Sequence, residues 1–230
     1  KLSITLITIP MISSATFEFL RGLAANNNRD WFQANKLSHD VARNNVLDFA
    51  GKIIEKLSKI DLLVSPDLDP KTCVMRIYRD VRFSKDKTPY KTNFGAGFSE
   101  NGKNFKGAGY YLHIHPEQSF LAGGCWMPEA DMLKAIRQEI DYNGSDFHDI
   151  IDDKEFKKYF GTLDSEYKLK TPPKGYQPEH QDIEYLKLKS FTFSHALKNT
   201  ELMGSNAVEE VCNGFIRLHP FIAFLRNAVS

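Results

Sequence analysis

The sequence predicts an α+β fold: a central antiparallel sheet packed by helices from both termini. Two observations predict it. Apolar residues recur at helical spacing before residue 60 and again after 128, whereas the period drops to two between about 73 and 126. Strands and helices also fall in separate runs, with no βαβ alternation. Phe17, Leu20, Leu23 and Ala24 follow Ser13-Ser14 and mark a first helix. Asn26-Asn27-Asn28 breaks it, and Asn28 is placed to cap the next. Trp31, Phe32, Val41, Leu47, Phe49, Ile53, Ile54 and Leu57 carry a longer helical pattern that ends before Asp61. Residues 65–70, rich in Pro and Asp, form a loop.

Residues 73–83 alternate as a strand does. Met75, Ile77, Val81 and Phe83 fall on one face; Val74, Arg76, Tyr78, Asp80 and Arg82 fall on the other. Segments 90–98, 107–115 and 119–126 are short strands separated by short turns, an antiparallel meander. Pro128 opens a helix with Met132, Leu133, Ile136 and Ile140 on one side. Short helices at 147–151 and 154–160 end at Gly161. A loop at 171–178, a strand at 186–193 and helices at 206–217 and 220–228 complete the chain.

At 230 residues the chain is long enough for one domain with a sizeable core. Its net charge of +1 excludes a polyelectrolyte that coats nucleic acid or membrane. No apolar run reaches a membrane span, so no membrane partner is expected. Cys73, Cys125 and Cys212 are odd in number and far apart, without a C-x-x-C pair. They read as buried thiols of a reducing, cytoplasmic compartment. The leading KLSITLITIP stands apart: its apolar run is interrupted by Ser3, Thr5, Thr8 and Pro10, which weakens a signal-peptide reading.

Charge concentrates between Lys71 and Lys106, where nine basic residues face three acidic ones. Such a local basic field on a near-neutral protein has the scale of a ligand. The candidate site is therefore segment 76–91: Arg76, Arg79, Asp80, Arg82, Ser84, Lys85, Asp86, Lys87, Tyr90 and Lys91. Arginine forks and lysine point charges suit a phosphorylated or carboxylated small molecule. The competing reading is internal: Arg79 lies on the apolar face and must be paired, Asp80 bridges Arg76 and Arg82, and the loop is held by its own ions. A third reading is a nucleic-acid or protein-interaction module without catalysis. Tyr78, Phe83, Tyr90, Phe94 and Phe105 interleave with the cations, but no ribonucleoprotein motif appears.

Three weaker signals lead nowhere definite. Ser84 and Lys87 match S-x-x-K, yet Pro89 follows closely and the companion motifs are missing. His113, His115 and Glu117 alternate as strand-borne metal ligands can, but Pro116 interrupts them, so no metal and no cofactor are expected. Trp31 and Trp126 read as core residues, with stacking on a ligand as the alternative. No catalytic residue can be named, and whether the chain is an enzyme stays open.

RDVRFSKDKTPYKT (79–92) resembles the signature of the domain-of-unknown-function 2461 family. NNNRDWF, FGAGF, GYYLHI, FLAGGCWMP, LKAIRQEI and LKLKSF are similar to further blocks of that family, in the same order. The resemblance spans 16–230 as a single domain and leaves 1–15 as an amino-terminal extension. It implies one uncharacterised cytoplasmic-type domain and carries no catalytic assignment.

Overall fold

The structure is a computed structural model that describes residues 11–229; the leading KLSITLITIP, read above as standing apart, lies outside the described residues. The predicted α+β architecture is present. The chain runs α1 (Ser14–Ala25), α2 (Arg29–Ala34), α3 (Lys36–Leu57), α4 (Pro70–Cys73), β1 (Phe94–Phe98), β2 (Gly109–Ile114), β3 (Ser119–Cys125), α5 (Ala130–Tyr142), α6 (Gly144–Ile151), α7 (Lys154–Phe160), α8 (Ile183–Leu186), β4 (Phe191–Leu197), α9 (Asn199–Leu202) and α10 (Ala207–Asn227). The four strands form one antiparallel meander in sequence order. Ile12, ahead of α1, is fully buried, and its N–H bonds the Leu202 carbonyl at 2.9 Å.

Local chemistry explains the boundaries. The Ser13 side chain caps α1 and Asn28 caps α2, each accepting a backbone N–H of the first turn. Asp153 caps α7, and Gly161 ends it at φ 73°. The three cysteines are buried and free.

One face of the sheet is core. Phe98, Tyr110, Leu121 and Phe193 project from it toward α10, where Phe215 meets both Phe98 (5.7 Å) and Tyr110 (5.2 Å) and Phe221 meets Phe193 (5.0 Å). Close approach needs Gly214 on α10: a Cβ there would lie 2.4 Å from Leu121. Beside this layer, Tyr110 bonds His219 at 2.9 Å, and buried Asp61 receives Arg226 at 2.7 Å.

Three expectations are corrected. Residues 73–83 are not a strand. The segment starts in the turn of α4, touches β1 at a Val74–Ala96 bridge and touches residues 89–91 through Arg79 N–H to Pro89 and Lys91 N–H to Ile77. Side-chain acceptors replace the ladder there: Asp80 takes the Arg82 N–H and Asp86 takes the Thr88 N–H. Pro89, with no N–H of its own, cannot donate back. The last helix is also continuous through Pro220, because Pro220 lies on its exposed side, where water can bond the freed carbonyl. Finally, the strand expected at 186–193 is displaced: Leu186 closes a helical turn, and pairing with β3 runs from Phe191 to Leu197.

Candidate functional site

The alternation that buries one sheet face under α10 leaves the other lined mostly by small side chains, with Phe105 and Met75 lying over its glycines. Gly95, Gly97 and Gly109 stand there beside Tyr111, His113, Phe120, Ala122, Thr192 and Ser194. Small side chains on a floor, with taller walls, make a cleft of about 950 Å³. Met75, Phe105 and Lys106 form one wall; Trp126, Met127, Pro128, Glu129 and Met132 form the corner where β3 enters α5; Asp164 and Glu166 form the side next to β4. Trp126, expected in the core, is 59% exposed. Its ring meets Tyr167 edge-on at 5.3 Å. Met127 holds φ 44°, the only left-handed non-glycine among the described residues, and its N–H bonds Ser190 Oγ at 2.9 Å. Asp164 accepts from Thr192 Oγ1 at 2.8 Å and from Ser194 Oγ at 3.4 Å.

At the other end of the floor, His113 stacks on Phe120 with ring centroids 4.6 Å apart. Its Nδ1 accepts from the Tyr111 hydroxyl at 3.1 Å. Burial pushes the His113 pKa down to about 4, with help from the positive fields of His115 and Lys91, so the ring is neutral near pH 7. Burial raises the Tyr111 phenol to about 12. Half-buried Lys91 has a lowered pKa from desolvation and from the nearby Arg76 charge. Among the described residues neither Arg76 nor Lys91 has an ion-pair partner. Asp80 feels the Arg76 charge but is engaged by Arg82.

The ten residues singled out from the sequence therefore separate into two groups. Around the exposed tip, Arg79 pairs with Asp86 and Thr88, Arg82 with Asp80 (2.7 Å), and Lys87 donates to the Val81 carbonyl (2.9 Å). The Thr88 N–H, the Arg79 guanidinium and the Thr88 hydroxyl together hold the Asp86 carboxyl down at about 2. Arg79 is thus paired as expected, but by Asp86, and Asp80 does not bridge Arg76 to Arg82. Phe83, assigned above to the apolar face, is 96% exposed, because the turn carries it off the sheet. Ser84 sits in the turn and Lys85 projects into solvent. Tyr90 belongs to neither group: it is buried and stacked on Phe32 at 4.2 Å. Asn27 clamps its backbone, bonding both the Tyr90 carbonyl (2.9 Å) and N–H (3.1 Å). Lys91 lies near His113, and Arg76 near Lys91, so these two stand beside the His113 end of the open face without lining the cleft itself.

Sequence reasoning missed the cleft's corner and its β4 side. The available signal was the small residues at alternate positions of FGAGF and FLAGG, a strand face too slight to be core. His113, His115 and Glu117 do not assemble a metal site: Glu117 N–H bonds the His115 ring, and no group of three metal-binding side chains occurs among the described residues.

A family model described as a conserved hypothetical protein (DUF2461) matches residues 15–224. The chain belongs to the DUF2461 family. Its FGAGF, GYYLHI and FLAGGCWMP blocks are β1, β2 and the β3 corner, the strands that floor the cleft. Searches of curated proteins and of solved structures gave no match. No helix among the described residues is long and apolar enough to cross a membrane.

Proposed function

We propose that this DUF2461 protein binds a small molecule bearing an anionic group along the open face of its sheet, with the anion received by Arg76 and Lys91. One observation carries the reading: a half-buried lysine lies beside an arginine and near His113, whose partners Tyr111 and Phe120 line the cleft, and neither cation has an ion-pair partner among the described residues. Two like charges held together and partly desolvated are unfavourable until an anion joins them. The neutral His113–Tyr111 pair beside them adds polar groups without adding charge. A cleft of this volume suits a ligand of drug-like size. Lys85 and Lys87 lie on the tip and have a lesser part in this reading than the sequence suggested.

Thermal unfolding in rising inorganic phosphate tests it. Phosphate should raise the melting temperature of the wild type, less so at high salt. Lys91→Ala should abolish the rise, and Lys85→Ala should keep it. Equal protection of wild type and Lys91→Ala, or none of either, would refute the reading. The alternative of an interaction module rests on Phe83 and Lys85 at the exposed tip. It requires a partner whose capture is lost in Phe83→Ala while phosphate protection persists.

A further inference from the structure

The anion end adjoins the cleft at His113 and leaves the length of the cleft unexplained. At about 3.3 Å per residue, the floor along β3 from Phe120 to Trp126 extends roughly 20 Å. Its far end is built differently. Trp126 is more than half exposed, next to Met127 in a left-handed conformation that a non-glycine residue adopts at a cost. Across from them Asp164 is fixed by two hydroxyls, Thr192 and Ser194. These features restrict the ligand. A hydrocarbon tail would cover the Asp164 carboxylate and both hydroxyls without supplying donors, which is unfavourable. A bare sugar phosphate would present little flat surface to an indole and a thioether and would fall short of the far end.

Resting on the anion reading, we infer that the cleft takes a nucleotide: phosphates at Arg76 and Lys91, and a planar, donor-bearing base stacked on Trp126 with its amino or imino hydrogen directed to Asp164. Recognition of this kind needs no glycine-rich phosphate loop before a helix, and none occurs in the sequence. Stacking of a base on an aromatic side chain increases affinity about tenfold or more.

Calorimetric titration of the whole chain with ATP and with inorganic tripolyphosphate separates the two ends. ATP should bind about tenfold or more tighter than tripolyphosphate. Trp126→Ala should remove that preference and leave tripolyphosphate binding unchanged. Asp164→Ala should weaken ATP alone. Because Trp126 is exposed, its replacement should leave the melting temperature nearly unchanged, so a lost preference reports on the ring. Saturable quenching of tryptophan fluorescence by ATP should disappear in Trp126→Phe. If ATP binds no tighter than tripolyphosphate, or if its preference survives Trp126→Ala, the nucleotide inference is wrong and the anion reading stands. If tripolyphosphate fails to bind, or binds equally well to Lys91→Ala, the anion reading itself falls and takes the inference with it.

Discussion

The two faces of the sheet are made by the same four strands, yet they follow opposite rules. Toward α10, large side chains fill the space until glycine is needed on the helix itself. Away from it, glycine and alanine alternate with a few aromatics and leave room. Strand periodicity decides only which residues share a face. Whether a face becomes core or cleft depends on side-chain volume and on whether a helix arrives to cover it. The difference also separates two kinds of sensitivity, to lost packing and to lost ligand contacts.

The largest effect should come from Gly124→Ala. Gly124 lies on the cleft side but has φ 133°, and an added Cβ would stand 1.9 Å from the Phe191 carbonyl oxygen. Breaking the β3–β4 pairing there should cost more than about 4 kcal/mol, enough to prevent soluble expression. A well-folded Gly124→Ala protein would mean that the strand can shift. Next, Phe98→Ala on the core face should cost about 3–5 kcal/mol in denaturant titration. Phe120→Ala on the cleft face should cost clearly less, because part of that ring is already open. Equal losses would erase the distinction between the faces.

Histidines sharpen the comparison through pH. His148 donates from Nδ1 to Asp152 (2.8 Å) and from Nε2 to buried Asp182 (2.6 Å), which requires the imidazolium. Asp182 and then Asp152 raise its pKa above the ordinary 6.5. Its stabilising contribution is therefore full below pH 6.5 and is lost as pH rises through the folded-state value. His113 on the open face behaves oppositely. With a folded value near 4, it is bound by fewer protons than in the unfolded chain, so stability falls as pH drops from 6.5 toward 4. Melting temperatures across pH 4–8 should show both slopes. His148→Ala should remove the alkaline one and His113→Phe the acid one.

The smallest effects belong to the tip. The Arg79–Asp86 pair is partly solvated, so Arg79→Ala should lower the melting temperature only modestly, far less than stranding a buried charge. Phe83→Ala should change stability by less than about 0.5 kcal/mol. A sharp loss for either would place the tip among the structural elements.

Much of the frame was legible because it depends on neighbours in sequence. The caps at Ser13 and Asn28, the stop at Gly161 and the strands of the meander all follow from local chemistry and period. Segment 73–83 misled because its alternation satisfied the strand pattern, while Asp80 and Asp86 offered the backbone competing acceptors. Of the candidate site, Arg76 and Lys91 were visible as charge, but nothing in the sequence distinguished them from Arg82 or Lys85.

By itself the sequence determined the fold class, the first helices, the three-strand meander, the free buried thiols and the location of the basic segment, since each depends on composition or short-range spacing. Tertiary structure alone decided which sheet face α10 would cover, which acid each arginine would meet, and that Asn27 would hold the backbone of Tyr90 sixty-three residues away. It also brought Trp126 and Asp164 to one cleft with Met75. Such pairings close long loops and are selected by the packing of the whole chain, so no short window of sequence contains them.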